Sequence, residues 1–516
     1  MRGLPLYSPA THLHGFCSLP NLRGNYIKKI LLAKVNHTGF IISLVPFAER
    51  QIIIMVVSRF VKDANGKGYL EVDGKPFLYN AAQSWYPPEE DFSMYVEKTV
   101  EAGFTVFSFW LYWRLLEPKD GEFDFSCIDA VIDLAVKHNI RLDIIWAGTN
   151  FCDHLDYRWA PEWVFNSSDY RLKNEYGVEI VADGYDMGPC PAANIFSREL
   201  FEKEARMVSA LFEHLAEYDK THRVICIQIE NEINMQGYWG GERPILGWCN
   251  ELGKIVKESS YSVATRVNIN EFEMDAEIDA LAYIDGQGLD TYTRDPGVIR
   301  SAMLDEKCTK FKHIAENDAV NNVTGLMLTA IENGGFFNIY RVDYDQYHKK
   351  PGVYDKDMVY TETTHRLKNL NFAMNNIGEI IAKASPEQMA AFNCELKNSP
   401  MQNYFELKML GGNRIAMSTE SKTTGLAIYH NGDYYFVADG ECKFGIYSRN
   451  CEFFKENSDT SVAIENVEKV SLKSDRSCFM TDYSVGEVIR VRVLSNPFEL
   501  ENYRQNRQIK ELERKA

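Results

Sequence analysis

Between about Tyr69 and Ala384 short runs of β-branched and aromatic residues alternate with longer stretches whose apolar residues recur every three or four positions. Runs of the first kind predict buried parallel strands, and those of the second predict amphipathic helices that cover them. Extended segments are predicted over Pro76–Gln83, Thr105–Tyr112, Arg141–Ala147, Val224–Ile229, Val263–Asn268, Gly286–Tyr292, Lys312–Ala315 and Gly335–Tyr340. The helical period is plain between several of them, at Phe92–Ala102, Ile128–His138 and Arg198–Tyr218. Eight strands with intervening helices predict a (β/α)8 TIM barrel with insertions. The rival, an open doubly wound sheet, lacks a Gly-rich phosphate loop after the first strand.

After Ser385 the pattern changes to short alternating runs at Tyr404–Lys408, Ile415–Ser418, Thr424–Tyr429, Tyr434–Asp439 and Val488–Val493, separated by Gly, Asn and Asp. These predict a small C-terminal antiparallel β-sandwich, with His430-Asn431-Gly432-Asp433 as a hairpin turn. The expected organisation is therefore a leader over 1–57, a catalytic barrel over 58–390, the sandwich over 395–498 and a charged, helix-prone tail over 499–516. The leader lacks periodicity, and a chain starting at Met55 is expected to fold and keep its activity.

Composition narrows the partners. The net charge is −17 with no Lys/Arg-dense stripe, which argues against nucleic acid and anionic membranes. No run of about 18 or more uncharged apolar residues occurs, so no membrane helix is predicted. The 11 cysteines are scattered without a CxxC pair, which fits a reducing, cytoplasmic compartment. A homo-oligomer is compatible with all of this. His12-Leu13-His14 has the spacing of a barrel metal site, but lies in the leader with only His313 near a later strand end, so no metal is expected.

Carboxylates at strand C-terminal ends are the place to look for chemistry, because barrel enzymes carry their reactive groups on that rim. Val224-Ile225-Cys226-Ile227-Gln228-Ile229-Glu230-Asn231-Glu232 is an apolar strand ending in a polar cluster, and strand alternation predicts Glu230 and Glu232 on one face. Phe311-Lys312-His313-Ile314-Ala315-Glu316-Asn317-Asp318 closes the seventh strand with a second carboxylate, three βα units further on. Glu332 precedes the eighth strand at a helix end capped by Gly334, a structural place. Two carboxyl groups facing each other across a barrel mouth are what glycoside hydrolysis requires. Gln83, Trp85 and Tyr86 follow the first strand and reach the rim. Trp110 is a candidate for the pocket wall, with the barrel core as its alternative, and Glu117 for substrate binding, with turn closure before Pro118 as its alternative. Tyr292, after Asp290 at the sixth strand end, is a candidate to hydrogen-bond Glu316, with a purely structural role as its alternative.

Taken together, Ala102-Gly103-Phe104-Thr105-Val106, Phe109-Trp110, Leu116-Glu117-Pro118, Gly121-Glu122-Phe123-Asp124-Phe125, Pro161-Glu162-Trp163, Gln228 to Glu232 and Asn338-Ile339-Tyr340 resemble the β-galactosidases of glycoside hydrolase family 35, in clan A. The resemblance spans about Gly74 to Tyr340. It implies a retaining exo-β-glycosidase that needs no cofactor and cleaves terminal β-galactosides. Residue by residue it implies Glu232 as acid/base, Glu316 as nucleophile, Asn231 as the 2-hydroxyl contact, and Tyr86 and Tyr340 as contacts to the terminal sugar. The chain departs from the family where Cys152-Asp153-His154 places His in a sugar-contacting acidic position, so that contact has to come from Asp153, Asp156 or His154. It departs again at Glu232-Ile233-Asn234, where the family reads Glu-Tyr-Gly. Two alternatives stay open: another clan A exo-glycosidase, acting on β-glucosides, β-mannosides or α-L-arabinopyranosides, and a catalytically silent carbohydrate-binding barrel.

Overall fold

A computed structural model describes residues 55–62, 68–84, 92–149, 159–182, 190–236, 243–319, 322–345, 349–393, 404–448, 452–457, 465–466, 470–472, 476–494 and 505. The leader before Met55 and, apart from Gln505, the tail from 495 onward lie outside the described residues.

Eight strands close a parallel barrel: β1 Asn80–Ser84, β2 Val106–Tyr112, β3 Arg141–Ala147, β4 Val224–Ile229, β5 Ala264–Ile269, β6 Gly286–Asp290, β7 Phe311–Asn317 and β8 Phe336–Ile339. Their order round the barrel is their order in the chain, and β8 returns to β1 through Phe337 beside Asn80 and Ile339 beside Ala82. Each strand is followed by a helix: α1 Ser93–Glu101, α2 Ser126–His138, α3 Arg198–Tyr218, α4 Pro244–Glu258, α5 Ala276–Asp279, α6 Pro296–Leu304, α7 Val323–Glu332 and α8 Glu362–Asn375. The strands read as continuous apolar runs because both faces are covered, and every residue of β2 is buried.

The first predicted strand divides in two. Lys75–Phe77 is the edge of a three-stranded antiparallel sheet with Ser58–Lys62 and Gly68–Val72, and only Asn80–Ser84 joins the barrel. Pro76 has no N–H to give to a central ladder, so an edge is where it fits. Met55–Val56 adds a short parallel ladder with Tyr261–Ser262.

α3 shows why these helices hold. Ser197 caps it by accepting from Leu200 N, and Leu200, Phe201, Met207, Val208, Leu211, Phe212 and Leu215 form one buried stripe. Each such side chain contributes about 1.5–3 kcal/mol when taken out of water. A single carboxylate, Glu204, stands in that stripe. Asn371 of α8 seals the barrel, accepting from Asn80 Nδ2 at 2.7 Å and donating to Ala102 O at 2.9 Å.

Inside the barrel, below the mouth, the fully buried Arg266 donates to Asp143 Oδ2 at 2.8 Å and to Gln228 Oε1, and Tyr79 donates to the same Asp143 oxygen at 2.5 Å. This layer gives the rim a rigid polar base.

After the barrel come two antiparallel sheets. One has the order β9-β12-β13-β19-β15-β16 and the other β10-β11-β14-β18-β17, where β9 is Met389–Asn393, β10 Tyr404–Leu410, β11 Asn413–Thr419, β12 Thr424–His430, β13 Asp433–Ala438, β14 Cys442–Ser448, β15 Glu452–Asn457, β16 Glu465–Asn466, β17 Val470–Leu472, β18 Arg476–Tyr483 and β19 Ile489–Leu494. Phe436 and Ile489 of one sheet meet Ile415 and Phe444 of the other in a common core. In the β12–β13 hairpin Asn431 and Gly432 both take positive φ, as a two-residue type I′ turn requires. Asp439 ties the sandwich to the barrel by accepting from Thr324 of α7 at 2.8 Å. No helix among the described residues is long and apolar enough to cross a membrane, and Cys127, Cys226, Cys249, Cys308 and Cys442 are free thiols.

Candidate active site

The C-terminal ends of β4, β5, β6 and β7 bring three carboxyl groups together. Glu316, in β7, is held on both oxygens: Gln83 of β1 donates Nε2 to Oε1 at 3.0 Å, and the Tyr292 hydroxyl donates to Oε2. Gln83 is itself oriented, because Asn338 of β8 donates to its Oε1 at 3.1 Å. Two donors on one buried carboxylate favour its charged form and fix its direction.

Glu232 lies three residues past the end of β4, and Asn270 Nδ2 donates to its Oε1 at 2.7 Å. Its backbone N–H donates to Asn268 Oδ1 at 2.9 Å. Asn231 accepts on Oδ1 from Gln228 Nε2 at 3.0 Å and from Asn268 Nδ2 at 2.8 Å, which turns its NH2 group away from both. Asn268 also donates to Asp290 Oδ2, so one side chain at the end of β5 ties Asn231, Glu232 and Asp290 together.

Asp290 sits beside Glu316 in the β6–β7 ladder. Burial, then the charges of Glu316 and Glu232, hold its carboxyl well above the usual carboxylate range. Its Oδ1 is buried without a hydrogen-bond partner among the described residues. Tyr292 and Tyr340 pack edge to face with ring centroids 5.7 Å apart. Burial of their hydroxyls, then the Glu316 charge, pushes both phenols well above their ordinary range, so both remain donors.

The backbone past β4 breaks the strand alternation. Glu230 takes φ 61° and Glu232 φ 44°, left-handed conformations that cost a non-glycine residue about 1–3 kcal/mol each. The slip separates the two glutamates expected on one face. Glu230 turns to the backbone N–H groups of Thr149 at 2.9 Å and Gly148 at 3.3 Å, while Asn231 and Glu232 join Asn268 and Asn270.

Of the candidate residues, the structure thus gathers Gln83, Asn231, Glu232, Tyr292, Glu316 and Tyr340. Trp110 lies near the end of β2 in a small cluster with Tyr112, Ile145, Ala147 and Trp159, apart from the main core, its ring 5.2 Å from that of Trp159. Glu117 is not part of the gathering. It is wholly buried, and accepts from Trp113 Nε1 at 2.8 Å, from Gly121 N at 2.7 Å and from Arg206. Its two oxygens are used to pin the loop after β2, the turn-closing alternative. Tyr86, Asp153, His154 and Asp156 lie outside the described residues. Asn268, Asn270 and Asp290 were not singled out from the sequence. The signal for them was polar residues at alternate positions at the end of an apolar strand, Val267-Asn268-Ile269-Asn270, and an acid closing β6. Among the described residues no group of three or more His, Cys, Asp or Glu is arranged to hold a metal ion. An anchored carboxylate with a second carboxyl on the same rim is equipment for two-carboxyl acid and nucleophile chemistry.

Residues 79–242 match a family model, that of the glycoside hydrolase 42 β-galactosidases. The matched stretch contains Gln83, Asn231 and Glu232 and ends before Asp290 and Glu316, and the model is that of family 42 rather than family 35, whose motifs the chain resembles. No curated protein matches the sequence. Among solved structures, the chain is similar to exo-β-1,4-mannosidase Op5Man5 from Opitutaceae bacterium strain TAV5, with 12% identity, a TM-score of 0.44, and 63% of this chain and 64% of that one covered. It is similar to a β-galactosidase from the psychrophilic Marinomonas ef1, with 13% identity, a TM-score of 0.44, and coverage of 59% and 62%. It is similar also to endo-glycoceramidase II from Rhodococcus sp., with 13% identity, a TM-score of 0.45, and coverage of 82% and 99%. The matched part thus spans less than two thirds of the first two of these proteins. Over residues 79–242, the first half of the barrel, the chain is thus similar to a glycoside hydrolase domain of β-galactosidase type.

Proposed function

We propose that the protein is a retaining exo-β-glycosidase that removes terminal β-galactosyl residues by double displacement. The observation that carries this reading is the anchoring of Glu316 by Gln83 and Tyr292 at the end of β7, three strands round the barrel from Asn231-Glu232. The β-galactosidase family match over the first half of the barrel supports the sugar.

In this mechanism the Glu316 carboxylate attacks the anomeric carbon as protonated Glu232 gives its proton to the departing glycosidic oxygen. The C–O bond to the aglycone breaks and a glycosyl ester of Glu316 forms. Water then attacks the same carbon, Glu232 takes the water proton, and the ester bond breaks with Glu316 leaving as carboxylate. Gln83 and Tyr292 keep Glu316 aimed, and the raised carboxyl of Asp290 favours its uncharged form beside the two reacting acids. Asn231 offers its NH2 to the 2-hydroxyl, Tyr340 and Tyr86 contact the sugar, Trp110 forms a wall, and Asp153, Asp156 or His154 supplies the remaining hydroxyl contact. A reducing, cytoplasmic setting belongs to this reading, supported by the free thiols among the described residues.

Chemical rescue tests the roles. Glu316→Ala should lose orders of magnitude in rate on an aryl β-galactoside, and azide should restore turnover as the α-galactosyl azide, since a small anion enters from the vacated face. Glu232→Ala should still react with an activated leaving group and accumulate its intermediate, and azide should then give the β-galactosyl azide. Proton NMR of the first-formed anomer from the unmodified enzyme decides retention. An initial α-anomer overturns it, and a panel in which only another β-glycoside turns over overturns the sugar while leaving the mechanism.

A further inference from the structure

A second carboxyl pair lies in the seam between β3, β4, α3 and α4. Glu204, the acid in the apolar stripe of α3, is wholly buried. Its Oε1 accepts from Trp146 Nε1 at 2.8 Å, and its Oε2 from Thr149 Oγ1 at 2.9 Å and Trp248 Nε1 at 3.0 Å. Glu230, with its own two backbone donors from Thr149 and Gly148, hydrogen-bonds Glu204 side chain to side chain. Gly148 makes the meeting possible, because a Cβ there would stand 2.0 Å from Glu204 Oε1 and 2.7 Å from Glu230 Oε1. An ionised carboxyl is an acceptor only, so two of them in contact need a proton between them. The named donors round the pair, two indoles, one hydroxyl and two backbone N–H groups, bring no positive charge. Cys249 of α4 is a titratable group beside both, and burial followed by the charge of the pair pushes its thiol up.

We propose that Glu204 and Glu230 share one proton, and that this pair is a positioning device for the rim. It captures the Glu230 side chain in the seam, imposes the left-handed backbone at Glu230, and so delivers Asn231 and Glu232 to the barrel mouth. The functional half of this rests on Glu232 being the acid/base. Left-handed non-glycine residues persist only where their surroundings over-determine them, and the five donors with the shared proton are such surroundings. Burial raises the Glu204 carboxyl, so the stability it lends is full below the ordinary carboxylate range. That stability is lost as pH rises through the raised value in the folded protein.

The test is Glu204→Gln in the full chain, whose amide keeps a donor on Glu230 at every pH while giving up one indole contact. At neutral pH the infrared difference spectrum between wild type and variant should show the carbonyl stretch of a protonated carboxyl lost from the variant. The fall in Tm from about pH 5 to about pH 9 should be flatter in the variant. Glu230→Ala should lower kcat by about tenfold or more with KM within about twofold, the split expected when a catalytic group is misaimed rather than a substrate contact removed. An unchanged infrared spectrum with a parallel Tm profile overturns the shared proton, and an unchanged kcat in Glu230→Ala overturns the positioning. Should Glu230→Ala fail to fold, Glu230→Gln serves for the same split. The infrared and melting measurements need no substrate. They decide the shared proton even if wild type hydrolyses no glycoside, a result that would overturn the proposed function alone.

Discussion

Removing the Tyr292 hydroxyl is the sharpest single test of how Glu316 is held. Tyr292→Phe takes away the donor on Oε2 and leaves Gln83 on Oε1 at 3.0 Å. A hydrogen bond to a charged group is worth about 1.5–3 kcal/mol. At about 1.36 kcal/mol per decade this is a fall of about 10- to 150-fold in kcat/KM. The loss should fall on kcat, because the phenyl ring keeps its edge-to-face packing on Tyr340 while the carboxylate loses its aim. A hydrogen bond to the charged form favours that form, so its loss makes Glu316 easier to protonate and moves the acid limb of kcat/KM to higher pH. Steady-state kinetics on 4-nitrophenyl β-D-galactoside across pH, with Tm as a control for folding, reads both effects. A variant with kcat/KM within about twofold of wild type and an unmoved acid limb would refute the assignment of Glu316 as the held, reacting carboxylate.

Three further outcomes follow from the same geometry. Asn268→Ala cuts the hydrogen bonds to Asn231, Asp290 and the Glu232 N–H, and should cost about 2–4 kcal/mol in urea unfolding at about 0.5–1.5 kcal/mol per bond, with a drop in kcat. Burial and the charges of Glu316 and Glu232 raise the Asp290 carboxyl in the fold, so its contribution to stability is full below the ordinary carboxylate range and fades as pH rises. Asp290→Asn does not titrate, and its Tm relative to wild type should therefore climb with pH; a constant offset from acid to alkaline pH would contradict a raised Asp290 carboxyl. Arg266→Met leaves Asp143 buried and uncompensated, at a cost of about 3–5 kcal/mol, and Arg266→Met/Asp143→Leu should recover most of it in the same urea titration.

The barrel was legible because a strand covered on both faces has nowhere to hide its apolar run. Arg141–Ala147 and Val224–Ile229 stand in the structure with the bounds read from the sequence, and so does the helix Arg198–Tyr218. The first predicted strand is too long because Pro76 and Phe77 continue the apolar run into a different sheet, a distinction that lies in hydrogen bonding rather than hydropathy. In the sandwich the hairpin at Asn431-Gly432 could be read from turn chemistry, whereas Cys442–Ser448 and Arg476–Tyr483 were not picked out as strands. Around the site, acids at strand ends were visible as breaks in apolar runs. Asparagines were not, because Asn268 looks like any strand-terminal polar residue until its three partners are in place. Glu117 carries two readings in the sequence, and its surroundings fit the turn-closing one, since a carboxylate in a linked motif can owe its place to an indole, a backbone N–H and an arginine.

The Glu230-Asn231-Glu232 step shows why period-two reasoning stops at a strand end. Continued alternation from Gln228 would send Glu230 inward with it, crowding a further carboxylate onto a rim that already holds Glu232, Asp290 and Glu316. At short range each added anion makes ionising the others harder, as the raised carboxyl of Asp290 records. Turning Glu230 out through a left-handed residue removes that charge from the mouth, but it must then be satisfied in an apolar seam, where two backbone N–H groups and the Glu204 carboxyl receive it. The clue in the sequence was one helix away: Glu204 interrupts the apolar stripe of α3 at a position where Leu200, Val208 and Leu211 mark the buried face. A carboxylate at such a position needs a partner, and the nearest strand end that could supply one is β4. Read jointly, the two misplaced acids of α3 and β4 account for each other, and the phase slip that presents Asn231 and Glu232 follows from their meeting.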